Sequence, residues 1–140
     1  MTVRVERSFD VDASPAAIWE FIADPAHRAR AISVVDSFER RGETTIWHIA
    51  LPIPLLGATI PVRTKDVKRD EPTYVKFRGT SSAFTVTGEH TITETDDGAT
   101  VRNVFYVDGK APGVERFFER NFADEITNLK RALRRHLREQ

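Results

Sequence analysis

The sequence predicts an α+β fold: a seven-stranded antiparallel, curved sheet wrapped around one long C-terminal helix, with two short helices after strand 1. Three observations lead there. Two-residue alternation of apolar and polar side chains fills most of the chain from Thr2 to Asp108. Two short helical signals interrupt it once, after Val11. The last stretch carries an apolar stripe, Val114, Phe118, Phe122, Ile126, Leu129, Leu133 and Leu137, spaced 4, 4, 4, 3, 4 and 4 residues apart. A sheet of this size with one apolar face must cover that face, and only the terminal helix is long enough to do it.

The elements follow in order. From Thr2 to Val11, the residues Val3, Val5, Phe9 and Val11 fall on one side, with Arg7 the only interruption. Ser14 can then cap a helix whose first position is Pro15, and Ile18, Phe21 and Ile22 recur at helical spacing. Asp24-Pro25 ends that helix and begins a second short one, through Ile32. Residues 34–41 and 43–51 flank Gly42 as a hairpin, and 58–70 forms a long strand. Glu71-Pro72 turns the chain into 74–78, and Gly79 to Ser82 turns it into 83–94. Asp96-Asp97-Gly98 is a strong hairpin signal before the seventh strand, 100–108. Gly109, Pro112 and Gly113 punctuate the entry to the long helix, 112–138.

A chain of 140 residues makes a single domain, 1–140, large enough for a real core. Its 21 Lys plus Arg balance 21 Asp plus Glu, which argues against a general nucleic-acid binder. The absence of cysteine removes disulfides, thiolate nucleophiles and sulfur-ligated metals, and fits a reducing cytoplasm. The N-terminal stretch has charges where a signal peptide needs its apolar run, and no segment of about 18 apolar residues could span a membrane.

The run from Val11 to Pro25, with its small-residue/Ser/Pro cap, Trp19 and closing Asp24-Pro25, resembles the opening of bacterial members of the START/polyketide cyclase/Bet v 1-like (SRPBCC) superfamily. Asp66, Asp70-Glu71-Pro72 before Tyr74 to Phe77, and Asp97-Gly98-Ala99-Thr100 fit the same pattern. The resemblance covers essentially the whole chain and implies the helix-grip fold, with a hydrophobic cavity between sheet and long helix. These marks belong to the scaffold, because one fold hosts cyclases, lipid carriers and receptors alike.

Strand parity supplies material for such a cavity. Phe77, Phe84, Val86, Phe105, Phe118 and Phe122 can converge on it, and Trp47 and Ile49 form the bulkier, inward set of their strand, which puts His48 outside. The alternative is that these side chains simply fill a core. His90 shares parity with Phe84, Val86 and Ile92, so it can bond a ligand carbonyl, act as acid or base, or serve as a satisfied structural histidine. Asn103 shares parity with Val101 and Phe105 and is a second candidate anchor. Arg63 and Lys65 read as a solvated sheet face, and the basic stretch 130–138 as a solvated helix face. The four histidines are separated by 21, 42 and 46 residues, so no metal motif arises. Nucleophile elbows and phosphate loops are likewise missing, and no cofactor is expected.

The least ordinary segment is Leu51-Pro52-Ile53-Pro54-Leu55-Leu56-Gly57, apolar yet barred from regular pairing by its prolines. In hormone-receptor members of the superfamily the matching connection is a gate over the cavity mouth. The resemblance therefore implies a gate here, with Gly57 as hinge; a static plug and a homodimer contact are the alternatives. The functional expectation is binding or transport of a small hydrophobic ligand or lipid. A polyketide cyclase/aromatase-type enzyme is the alternative, and a protein-interaction module without ligand is the second.

Overall fold

The computed structural model describes residues 2–51 and 59–139. Its elements are β1 (Thr2–Val11), α1 (Pro15–Ile22), α2 (Pro25–Ala31), β2 (Val35–Arg41), β3 (Thr44–Ile49), β4 (Ile60–Asp70), β5 (Tyr74–Thr80), β6 (Phe84–Thr95), β7 (Gly98–Gly109) and α3 (Val114–Arg138). One seven-stranded sheet runs β1-β7-β6-β5-β4-β3-β2. Every neighbouring pair is antiparallel. Strands β2 to β7 therefore form a meander, and β1 crosses to the far edge to pair with β7, Thr2 opposite Asp108. This is the helix-grip arrangement.

Local chemistry accounts for the boundaries. The Ala17 N–H donates to Ser14 Oγ at 3.2 Å, and Pro15 takes the first helical position of α1. The Ala26 N–H donates to Asp24 Oδ1 at 2.9 Å and starts α2 in the same way. Trp19 pins α1 to the β4–β5 turn, its indole N–H donating to Glu71 Oε1 at 2.9 Å. In the β6–β7 hairpin Gly98 has φ +153°, and a Cβ there would lie 2.2 Å from the Val11 carbonyl oxygen. Only glycine lets that hairpin close against the end of β1.

The sheet's inner face and α3 share one core. Along β3, Thr45, Trp47 and Ile49 are buried, along β5, Val75 and Phe77, and α3, which packs on β1 and β7, brings Val114, Phe122, Ile126, Leu129 and Leu133 into the same core. Arg63 and Lys65 lie exposed on the outer face, as the alternation of β4 requires. Most strand ends shift by one or two residues from the sequence reading, and one shift has a packing cause: β5 continues through Gly79 to Thr80. Gly79 is a buried strand position, where a Cβ would meet Val86 Cγ1 at 2.9 Å, so its glycine reflects close packing and not a turn.

Candidate functional site

Between the inner face of the sheet and α3 lies a cavity of about 50 Å3. Strands β3, β5, β6 and β7 contribute Trp47, Ile49, Phe77, Phe84, Val86, His90 and Phe105 to its wall. Helix α3 adds Phe117, Phe118, Asn121, Phe122, Glu125, Ile126 and Leu129, and α2 with the stretch after it adds Arg28, Ile32 and Val34. Alternation along the strands and the 3–4-residue stripe of α3 aim these side chains at one volume.

Phe77 is the hub. Its ring centroid lies 5.7 Å from that of Trp47, 6.1 Å from His90 and 5.6 Å from Phe105. The Arg28 guanidinium sits 5.3 Å over its face. The ring can occupy this place because Gly88, opposite it on β6, has no side chain; a Cβ there would be 2.2 Å from Phe77 Cε1.

Two fully buried polar groups are built into this wall. His90 is buried, and its Nδ1 lies 2.7 Å from Asn103 Oδ1. The amide nitrogen of Asn103 donates to the carbonyls of Arg7 at 3.1 Å and Val101 at 3.4 Å. That fixes the amide orientation, makes Oδ1 the acceptor, and assigns the proton to His90 Nδ1. Nε2 is then the acceptor nitrogen of a neutral imidazole. Burial, and after it the nearby Arg28 charge, pull the His90 pKa from 6.5 down to about 4.

Arg28 is the second group. Its side chain is 4% exposed. Nη1 donates to the Ile22 carbonyl at 3.1 Å and Nη2 to Asp66 Oδ1. Arg69 shares that carboxylate, bonding Oδ2 at 2.7 Å. Burial pulls the Arg28 pKa down and Asp66 opposes the shift. Glu125 is fully engaged, accepting from the Ser33 N–H at 2.9 Å, the Ser33 hydroxyl at 2.7 Å and Asn128 at 3.0 Å.

The side chains Trp47, Ile49, Phe77, Phe84, Val86, His90, Phe105, Phe118 and Phe122 thus meet at one cavity, as strand parity and the helix stripe suggest. Asn103 does not join them on the wall. It faces inward, but it pairs in register with His90 and stands behind it as a support. Leu51 is buried in the core. The other gate positions, 52–57, lie outside the described residues. Arg28, Asn121 and Glu125 escaped the sequence reading, because α2 is only seven residues long and lacks an apolar stripe, while the other two flank the stripe of α3.

The His90 shift has a measurable consequence. As pH falls, the unfolded chain takes up a proton near 6.5 and the folded one only near 4. Stability is therefore lost across that window, by about 3 kcal/mol for a shift of this size. Urea midpoints of the wild type are expected to decline between pH 6.5 and 4, with a visibly flatter decline in His90→Gln. Parallel profiles for the two proteins would remove His90 from the account.

Residues 2–134 match the family described as polyketide cyclase / dehydrase and lipid transport. Among solved structures, the Zhui aromatase/cyclase from Streptomyces sp. R1128 is similar at 19% identity, covering 96% of each chain, with a TM-score of 0.71. A START superfamily protein from Mycobacterium smegmatis is similar at 14% identity, covering 93% of each chain, with a TM-score of 0.69. Ara h 8.0201 is similar at 15% identity over 98% of this chain and 99% of its own, with a TM-score of 0.68. At these identities the likeness is one of fold. No curated protein matches the chain significantly. Among the described residues no helix is long and apolar enough to cross a membrane, and no group of three or more potential ligands gathers for a metal.

Proposed function

The chain belongs to the polyketide cyclase/dehydrase and lipid transport family of the START/Bet v 1-like superfamily, and on that premise we propose that it binds a small hydrophobic molecule in the cavity without transforming it. The observation that carries this reading is the aromatic wall around Phe77, which offers a guest apolar surface on nearly every side.

A cavity of about 50 Å3 is smaller than the roughly 150 Å3 that holds benzene, so a guest of that size enters only as wall side chains move. Phe117 and Phe118, at the start of α3, are the least buried aromatic members of the wall and the ones best placed to do so.

Uptake of an environment-sensitive dye, with native mass spectrometry for co-purifying apolar molecules, tests the reading. Val86→Phe fills the cavity from β6 at an overpacking cost of about 1–3 kcal/mol. Dye uptake is expected in the wild type and at least tenfold weaker binding in the folded variant. Equal uptake in both would place the dye elsewhere and defeat the cavity reading, and no uptake at all would favour an interaction module.

A second reading is favoured by one observation, the buried His90 whose Nδ1 is fixed by Asn103, which leaves Nε2 as the unprotonated nitrogen that a general base would use. It is a polyketide cyclase-type enzyme. Against it, Glu125 is tied up by Ser33 and Asn128, which leaves His90 without a partner acid among the described wall residues. Turnover of a bound polyketide-like compound, lost in His90→Ala while binding persists, would establish the enzyme.

A further inference from the structure

Helix α3 turns one face to solvent, and that face is lined with arginine. Arg116, Arg120, Arg131, Arg134, Arg135 and Arg138 stand exposed along it, against two exposed acids, Glu119 and Asp124. At 3.6 residues per turn the six arginines fall within about 100° of the helix circumference, and at 1.5 Å per residue they run for roughly 33 Å. Among the described residues none of the six makes an ion pair. Cations elsewhere are handled differently: Arg4 and Arg102 both hold Glu6, and Lys68 holds Asp70.

Helix stability does not call for this row. Like charges three or four positions apart repel, as Arg116 with Arg120, Arg131 with Arg135 and Arg134 with Arg138 do here. The helix dipole favours cations in the last turn, which accounts for Arg135 and Arg138, but it opposes Arg116 in the first turn. The chain as a whole is neutral, with 21 Lys plus Arg and 21 Asp plus Glu, so the row is a local concentration of charge.

A straight row of guanidinium groups fits an extended plane of anions, whose phosphates and carboxylates arginine binds bidentately. Duplex DNA fits less well. A helix that enters the major groove must be free on its sides, whereas α3 is packed on β1 and β7 with α1 and α2 beside it. Single strands need exposed rings to stack on, and among the described residues no large apolar side chain is exposed on this face. The same lack rules out insertion, so the contact is made by charge at the level of the lipid headgroups.

We infer that the exposed arginine face of α3 docks on an anionic lipid bilayer. This goes beyond the cavity reading above and stands without it. Phe117 and Asn121, which line the cavity, border the arginine face beside Arg116 and Arg120, so docking turns that flank of the cavity wall toward the lipid.

The test is co-sedimentation of the full chain with phosphatidylcholine vesicles, plain or with about one-third phosphatidylserine. Binding to the anionic vesicles is expected to be at least tenfold tighter than to the plain ones. It should fall at least tenfold when NaCl rises from about 0.1 M to about 1 M, which shortens the screening length from about 10 Å to about 3 Å. The triple variant Arg131→Gln/Arg134→Gln/Arg138→Gln should bind about a hundredfold more weakly, at about fivefold per arginine. Its urea midpoint should match or exceed that of the wild type, because the residues are exposed and repel one another. The variant Arg63→Gln/Lys65→Gln/Arg78→Gln removes as many charges from the outer face of the sheet and should bind within about twofold of the wild type. Equal binding to both kinds of vesicle, no binding to either, or equal losses in the two triple variants would overturn the inference. Tighter binding to a duplex oligonucleotide than to anionic vesicles at the same salt would overturn it in favour of a nucleic-acid face.

Discussion

Replacing Asp66 with alanine is expected to lower the folding free energy by about 3–5 kcal/mol, as removal of one partner from a buried ion pair does. The carboxylate side chain is 12% exposed and stands between Arg28 at 4% and Arg69 at 45%. Without it, Arg28 keeps its charge and its place under Phe77 but retains only the Ile22 carbonyl as a hydrogen-bond acceptor. A guanidinium does not shed its proton to relieve this. Asp66→Asn, which keeps an acceptor oxygen and removes the charge, should fall between alanine and wild type. The double variant Arg28→Met/Asp66→Ala should recover most of the loss, since an apolar side chain of similar length needs no counterion. Urea unfolding at constant m-value reads all three. An Asp66→Ala loss below about 1 kcal/mol would mean that Asp24, the other acid acting on Arg28, compensates it.

Phe77→Ala should cost as much, about 3–5 kcal/mol, by a different route. The ring is 1% exposed and touches the side chains of Trp47, His90, Phe105 and Arg28. Gly88 behind it offers nothing to fill the space, so the void cannot close from the sheet side. The new volume joins the existing cavity, and benzene is expected to raise the melting temperature of the variant, by mass action, more than that of the wild type. A stability loss near 1 kcal/mol without benzene binding would indicate that α3 collapses into the gap.

Strand parity was enough to place Trp47 inside and His48 outside, because an antiparallel sheet with one dry face leaves the pleat no other choice. It was not enough for Asn103. Parity assigns a face, and on that face His90 lies directly opposite Asn103 on the neighbouring strand, so which of the two fronts the cavity depends on side-chain length and on the carbonyls of Arg7 and Val101. Arg28 was invisible for another reason. Its partner is 38 positions away on β4, and no local pattern in a seven-residue helix announces a pairing over that distance. The apolar stripe of α3 did locate Phe118, Phe122, Ile126 and Leu129, since helical periodicity and burial are the same fact seen twice. The polar residues beside that stripe, Asn121 and Glu125, carry no such mark.

The crossing of β1 to the far edge of the sheet bears on how the chain comes together during synthesis. Thr2 pairs with Asp108 and Val11 with Ala99, so the first strand made can join the sheet only after the seventh has emerged. Until then β1 has no neighbour, and the inner face of the growing meander stays wet, because the helix that covers it is α3. Closing contacts over nearly the whole chain length is slow compared with forming hairpins. A ribosome-bound intermediate consisting of β2 to β6 would therefore display Trp47, Phe77 and Phe84 to solvent for seconds at ordinary elongation rates. That exposed sheet is the species a chaperone would meet, and pulse proteolysis of stalled nascent chains should find it cleavable until α3 clears the exit tunnel.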